Sequence, residues 1–145
     1  MQVLAFACGD QTFCIRITDV SEVLESAPVF SLPRAPSDFD GVFQLRGRII
    51  TLFNFVRCFG SGTEYSDSQI VLFAEPYLHF AIRVPGIVES VSLAGAIQEP
   101  PRSQDKSAAI LEAQLRRGED LYNLISISRA VFYAGALVQS QESAV

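Results

Sequence analysis

Short runs of apolar and β-branched residues, separated by turn signals, extend along most of the chain and predict a β-rich fold. The clearest pair is residues 42–45 and 49–55, which flank the tripeptide Arg46-Gly47-Arg48. β-Branched and aromatic residues dominate both runs, as strands prefer, and Gly47 supplies the residue that a tight hairpin turn needs. The nearly unbroken apolar stretch 49–53 predicts a strand that is covered on both faces.

The first part of the chain shows the same pattern of short strands. Residues 2–7 and 12–17 predict a hairpin around the turn signal Gly9-Asp10, and residues 20–24 predict a further short strand or a bend. The stretch 27–37 contains three prolines, so it predicts extended, irregular chain rather than helix.

Helical signals are few. Cys58-Phe59-Gly60 predicts the end of one short helical turn, with Gly60 as its C-cap. Residues 126–138 predict a terminal helix whose N-cap is Ser126 or Ser128. The polar residues 139–145 predict a flexible tail.

The strand pattern repeats within the chain. Residues 2–24 align on residues 69–91 without a gap, at a constant offset of 67. Seven of these 23 positions are identical, against roughly one or two expected from composition. The identical pairs are Gln2/Gln69, Phe6/Phe73, Ala7/Ala74, Phe13/Phe80, Ile15/Ile82, Arg16/Arg83 and Glu22/Glu89. The chain therefore looks like a duplication.

A second echo follows after a one-residue adjustment. Gln114-Leu115-Arg116 resembles Gln44-Leu45-Arg46, and Tyr122-Asn123-Leu124 resembles Phe53-Asn54-Phe55. A glutamate and an arginine at corresponding places in both halves suggest one ion pair used twice, with Glu89 and Arg116 forming the second copy. The alternative is that each charge is merely the polar member of a strand face.

Duplication predicts the architecture. Five short strands cannot hide their edges in a flat sheet, but they can close into a small barrel. We therefore expect an all-β fold in which residues 1–138 form a single domain. Its two repeated β-barrel halves would cover about residues 2–60 and 69–133 and share a cleft, and the terminal helix would follow.

Composition narrows the class of protein. The chain has 145 residues, of which 49% are hydrophobic, and a net charge of −5, which argues against nucleic acid as a partner. No apolar stretch approaches the roughly 18 residues of a spanning helix, and the start lacks the cationic region of a signal peptide. Three cysteines without C-x-x-C spacing predict small buried hydrophobes in a reducing cytoplasm, so we expect a cytoplasmic protein without direct membrane insertion.

The sequence shows no pattern of catalytic chemistry. Its single histidine, His79, lies between apolar residues and is interpreted as a strand residue rather than a base. No glycine-rich phosphate loop is present, and one histidine with unpaired cysteines does not suggest a metal site. We expect no enzymatic activity, no metal and no cofactor.

The order of these segments resembles the CheW-like coupling proteins of bacterial chemosensory arrays. The resemblance rests on Gly-Val-x-x-Leu-Arg-Gly-x-Ile at residues 41–49, followed by a hydrophobic strand that ends near Phe59-Gly60. The stretch 19–24, with Leu32-Pro33 and Ala35-Pro36 after it, is similar to that family's first half. The resemblance covers about residues 2–133.

The resemblance implies two intertwined five-stranded SH3-like β-barrels. It also implies a non-enzymatic adaptor that couples the cytoplasmic helical hairpin of a chemoreceptor to a CheA-type histidine kinase, whose regulatory domain has the same fold. The receptor tip would bind in the groove between the barrels. The corresponding partner-binding residues, among which the glutamate and the arginine would interact, are Val20, Glu22, Leu45, Arg46 and Gly47.

Departures from the family pattern identify a divergent member. Gln44 replaces the usual asparagine, Thr51 a common proline and Asn54 the usual aspartate. An alternative is therefore an accessory CheW-like protein, as in Frz-type gliding-motility pathways, that binds receptor but has lost kinase coupling. Two hypotheses from other classes are a small-ligand sensor that uses a barrel mouth and an enzyme with an unrecognised site.

Overall fold

The computed structural model of the chain describes residues 1–60, 65, 67–86 and 88–143, the last four as backbone only. Within this part the fold is mostly β, with a terminal helix, as the sequence predicts. The elements of the first half are β1 (Gln2–Cys8), β2 (Gln11–Arg16), β3 (Val20–Leu24), β4 (Phe39–Leu45), β5 (Arg48–Asn54) and the short helix α1 (Phe55–Phe59). The elements of the second half are β6 (Ser68–Phe73), β7 (Phe80–Pro85), β8 (Glu89–Ser92), β9 (Ile97–Glu99), β10 (Leu111–Arg117), β11 (Asp120–Ile125) and α2 (Ile127–Ser143).

The strands form two mixed sheets that exchange strands between the halves. Sheet A has the order β8-β1-β2-β11-β10-β9, and sheet B has the order β3-β6-β7-β5-β4. Strand β8 of the second half therefore pairs with β1, while β3 of the first half pairs with β6. The sheets are intertwined as the family resemblance implies, and neither sheet consists of residues 2–60 or 69–133 alone.

The strand register matches the sequence repeat. In the hairpin β1–β2, Ala5 lies opposite Cys14, and in β6–β7 the residues at offset 67, Leu72 and Ala81, lie opposite each other. The exchanged strands keep the same relation, because β8 pairs with β1, and β3 with β6, at corresponding positions. These strands thus have corresponding registers at the offset of 67, although Ile87, which aligns with Val20, lies outside the described residues.

The main hydrophobic core lies between the two sheets and is largely aromatic. Phe55 of α1 contacts Phe6 and Phe13 of sheet A edge-on, with ring centroids 5.0 and 4.9 Å apart. On sheet B, Phe73 and Phe80 are buried in the same cluster, with centroids 5.4 Å apart. Each fully buried side chain of this size contributes about 1.5–3 kcal/mol, so this cluster fixes how the sheets pack.

Each helix directly follows a strand, and a side chain caps its N-terminus. Asn54 accepts a hydrogen bond from the Arg57 amide (3.0 Å), and the Ser126 hydroxyl accepts one from the Arg129 amide (3.3 Å). Gly60 ends α1 as predicted, but its φ of −76° is not left-handed. A Cβ there would lie 2.5 Å from the Val56 carbonyl oxygen, so close approach explains the glycine.

Three local predictions are wrong in detail. Ile49 is 65% exposed because it begins β5 beside a turn, so the strand is covered on both faces only further along. His79 lies in the turn before β7 rather than in a strand, and its carbonyl accepts from the Thr51 amide. Helix α2 continues to Ser143 instead of ending at residue 138, since Gln and Glu in this stretch favour helix.

Candidate functional site

The turn between β4 and β5 presents an arginine in an unusual conformation. Leu45 pairs with Arg48, which leaves the two-residue turn Arg46-Gly47 with φ values of +48° and +78°. Positive φ at both central residues defines a type I′ hairpin turn, whose twist suits β-strands. Glycine adopts this conformation freely, whereas a long side chain at positive φ is strained and is often found at functional positions.

Glu22, on the opposite edge strand of sheet B, orients this arginine. The Arg46 guanidinium donates a charge-assisted hydrogen bond to the Glu22 carboxylate on β3. Strands β3 and β4 are the two edges of sheet B, so the pair joins these edges. The Arg46 side chain is 70% exposed, and an exposed pair of this kind adds only about 0–1 kcal/mol of stability. Orientation of the guanidinium is therefore its main effect.

The structure brings the five residues implied by the resemblance to one end of sheet B. Val20 is half-buried against the core between the sheets, and Leu45 is half-buried against the inner cluster of sheet B. Gly47 is exposed and would have no atom within 4 Å of an added Cβ, so its positive φ is what requires glycine. All five positions were named from the sequence, and their role in binding stays a prediction.

A small concavity of about 70 Å³ lies beside Arg46. It is lined by Ser21, Leu45, Arg46, Arg48, Ile50, Leu72, Phe73 and Leu78. All of these belong to sheet B or to the connection between β6 and β7. The concavity at Arg46 therefore lies within one sheet, and it is not the groove between two barrels that the resemblance implies.

The second Glu–Arg pair expected from the repeat does not form. Arg116 donates to Glu99 of β9 (2.7 Å) rather than to Glu89. In the β10–β11 hairpin, Arg117 pairs with Asp120 as Leu45 pairs with Arg48, so the turn is Gly118-Glu119. Gly118 thus stands at the place of Arg46, because the strand register differs from the sequence alignment by two residues.

A different arginine pair is duplicated. Arg16 on β2 binds Glu112 on β10 through two hydrogen bonds, one of which joins Nη2 and Oε2 at 3.0 Å. Arg83, at the same place in the repeat, binds Asp40 on β4 with Nε 2.5 Å from Oδ2. Both pairs cross one intervening strand, β11 or β5. The sequence showed the repeated arginine but not its partner, because the carboxylates differ in type.

The hydrogen bond to Glu112 also raises the pKa of Arg16. The guanidinium therefore stays charged at any physiological pH. Both duplicated pairs are only partly exposed, with side-chain exposures between 12 and 30%. Each pair joins two strands of one sheet across the strand between them.

The cysteines are buried hydrophobes, as predicted. Burial raises the pKa of Cys14 to about 12 and that of Cys58 to about 11, and it also raises the pKa of Cys8. A thiol with such a pKa is a poor nucleophile at neutral pH. In the described part of the chain, no group of three His, Cys, Asp or Glu side chains could hold a metal ion. None of its helices is both long and apolar enough to span a membrane.

Comparison with known proteins identifies the family. The CheW-like domain model matches residues 2–131. The chain belongs to the CheW-like domain family. Two relatives are the chemotaxis protein CheW of Rhizobium meliloti, 37% identical over 54 residues, and that of Treponema pallidum, 28% identical over 109 residues. These matches cover 37% and 70% of the chain, and 35% and 64% of the relatives.

A solved structure of the CheW-like family has the same fold. The scaffolding protein TtCheW from Thermoanaerobacter tengcongensis superposes with a TM-score of 0.71 over 87% of this chain and 88% of its own. The two sequences are 21% identical. The agreement establishes the all-β architecture with its terminal helix and says nothing about which surface residues are used.

Proposed function

We propose that the chain is a non-enzymatic adaptor of a bacterial chemosensory array, which couples a chemoreceptor's cytoplasmic helical hairpin to a CheA-type histidine kinase. The observation that carries the proposal is Arg46, a strained and largely exposed arginine that Glu22 holds in one orientation. Membership of the CheW-like family and the chemotaxis names of its relatives support the pathway.

The surface around Arg46 has the chemistry of a site for an amphipathic helix. Ile49 is 65% exposed next to the turn, and Leu45 on β4 and Val20 on β3 are partly exposed. Helix-in-groove recognition combines such apolar contacts with a few polar anchors, among which arginine is frequent. The guanidinium fork suits backbone carbonyls or carboxylates at a hairpin tip. We place the receptor at this end of sheet B.

Kinase coupling is the second part of the proposal, and loss of coupling is its alternative. One departure from the family pattern has a structural explanation, because Asn54 caps α1 and donates to Asp40. Gln44, by contrast, is exposed on the edge strand β4 and could alter a partner surface. An accessory protein that binds receptor alone would keep the Arg46 surface and lose the kinase contact.

The sensor hypothesis has less support. Inside the core, the gap among the aromatic rings Phe53, Phe55 and Phe59 holds only about 10 Å³, far below the 300–1,000 Å³ of typical ligand pockets. A cleft of that size, about 730 Å³ at one end of sheet A, is open and lined by exposed carboxylates. No observation in the structure favours a reaction.

Calorimetry with a receptor hairpin fragment tests the receptor site. Arg46→Ala should weaken binding by about 1–3 kcal/mol, the range of interface hot spots, and Arg46→Lys should restore only part of it because lysine lacks the fork. Arg117→Ala is the matched control, since Arg117 is exposed at the corresponding end of sheet A. Equal affinity for the wild type and Arg46→Ala would place the receptor elsewhere.

A pull-down against the kinase regulatory domain tests the second part separately. Binding to both the receptor fragment and the kinase domain is expected for an adaptor. Binding to the receptor fragment alone would identify the accessory protein, and binding to neither would refute the proposed function.

A further inference from the structure

An open cleft of about 730 Å³ lies at the end of sheet A that corresponds to the Arg46 end of sheet B. The turns Gly9-Asp10 and Gly118-Glu119 meet there with the start of β8. The cleft is about ten times larger than the concavity beside Arg46. One reason is that Ala5 stands where sheet B has the larger Leu72. Its volume lies within the range of about 300–1,000 Å³ that is typical of ligand-binding pockets.

Four exposed carboxylates line this cleft: Asp10, Glu89, Glu119 and Asp120. Within the described residues none of them belongs to an ion pair. Arg102 also lines the cleft, but its guanidinium is already paired with Glu99 (Nη2–Oε2, 3.4 Å). A concave site that is lined by negative charges attracts cations.

One residue that lines the cleft has a buried hydrogen-bond acceptor for which the described residues supply no donor. Gln114 lines the cleft, is 8% exposed, and lies on the opposite strand face from Ala113 and Leu115, which pack inside sheet A. Its Oε1 atom accepts no hydrogen bond from any described residue. A buried acceptor of this kind is costly unless a donor reaches it, so the site favours a ligand that brings N–H groups.

We propose that this cleft binds an arginine side chain carried by an extended segment of a partner protein. A guanidinium brings one positive charge and five N–H donors in a planar fork, which suits several carboxylates and one amide oxygen better than an ammonium does. Leu121, 46% exposed, and Tyr122 supply apolar surface for the arginine stem and its neighbours. A lone small amine would leave most of the volume unfilled. The proposal is independent of the receptor site on sheet B.

The test uses the full chain and a blocked tripeptide, N-acetyl-leucyl-arginyl-leucinamide. Its affinity is measured by NMR titration, with the side-chain amide signals of Gln114 as a local probe. Peptides with lysine or with the neutral isostere citrulline in place of arginine are compared, together with arginine amide. The arginyl peptide should bind best, citrulline should weaken binding about tenfold or more, and added salt should weaken it further.

Variants locate the site. Gln114→Leu and the double variant Glu119→Gln/Asp120→Asn should each lower affinity for the arginyl peptide about tenfold. Glu25→Gln is the matched control, because Glu25 is an exposed carboxylate outside the cleft, and Arg46→Ala should also leave peptide affinity unchanged. Thermal melts confirm that each variant is folded.

Several results would overturn the proposal. Absence of saturable binding at millimolar peptide, or equal affinity for the three peptides, would show that the cleft does not recognise a guanidinium. Unchanged affinity in folded Gln114→Leu would mean that a water satisfies the amide oxygen and that the acceptor is not used. Equal affinity for arginine amide and for the peptide would identify a small-molecule site instead of a site for a partner segment.

Discussion

The corresponding ends of the two sheets share a backbone plan and differ in chemistry. At sheet B the hairpin turn is Arg46-Gly47, whereas at sheet A it is Gly118-Glu119. Sheet B therefore carries a cation that Glu22 orients, while Glu89, which corresponds to Glu22 in the repeat, has no arginine at the facing turn. The two ends have corresponding hairpin registers, and the residues at their turns make one end basic and nearly filled and the other acidic and open.

The core between the sheets shows the opposite behaviour, because its two sides have both residues and geometry in common. Phe13 and Phe80 align in the repeat and are 2% and 9% exposed. Phe13→Ala and Phe80→Ala should each lower the free energy of unfolding by about 3–5 kcal/mol, since each leaves a cavity in an aromatic cluster. Urea denaturation measures this, and a loss below about 1 kcal/mol in either variant would show that the two sides of the core are not equivalent.

The sequence predicted this shared part of the fold well. Identical residues such as Phe6/Phe73 and Phe13/Phe80 predicted matching strands in the two segments, and the glycine of Arg46-Gly47 predicted the turn. The strand exchange between sheets was not visible in the residue pattern, because periodicity shows which face is buried but not which strand lies alongside. It followed from the family resemblance alone.

The candidate site could be predicted only in part for a related reason. The pair Glu22–Arg46 came from the motif, but the alignment by residue identity misplaced its second copy at Arg116. Identity favoured Gln114-Leu115-Arg116, while the hairpin register is set by turn length. The cleft on sheet A gave no sequence signal, because its carboxylates come from three separate segments of the chain.

The two corresponding ion pairs, Arg16–Glu112 in sheet A and Arg83–Asp40 in sheet B, should have an intermediate effect on the free energy of unfolding. Arg83→Met and Arg16→Met should each destabilise by about 1–2 kcal/mol, below the full value of a charged hydrogen bond because the pairs are partly solvated. The Arg83 variant should lose more, since Asp40 is 12% exposed and Glu112 is 28% exposed. Double-mutant cycles with Asp40→Asn and Glu112→Gln measure the coupling. If either ion pair showed no coupling energy, it would be a surface pair that does not stabilise the fold.

The buried thiols predict how stability responds to alkaline pH. Burial raises the pKa of Cys14 to about 12 and of Cys58 to about 11, so the folded state holds these protons when the unfolded state has lost them. The free energy of unfolding should therefore be unaffected by these thiols below about pH 8.5, the ordinary thiol pKa. Above it, stability should fall by at most about 1.4 kcal/mol per pH unit for each thiol.

Denaturation curves at several pH values between 7 and 10 measure this slope. Cys14→Ala should reduce the slope. It should not abolish the slope, because Cys58 and Cys8, whose pKa values are also raised by burial, contribute in the same direction. An identical slope in Cys14→Ala and the wild type would show that this thiol is not protected from ionisation in the folded protein.

The smallest expected effect concerns the turn that distinguishes the two ends. Arg46→Gly gives sheet B the residue that sheet A has at Gly118, where φ is +63°. Glycine relieves the strain of arginine at φ +48°, but it removes the Glu22 contact and loosens the unfolded chain. These terms nearly cancel, so the free energy of unfolding should change by less than about 1 kcal/mol while receptor binding falls as in Arg46→Ala. Urea denaturation with calorimetry on the same preparation separates the two. A loss above about 2 kcal/mol with unchanged binding would mean that Arg46 serves the fold and that the receptor site lies elsewhere.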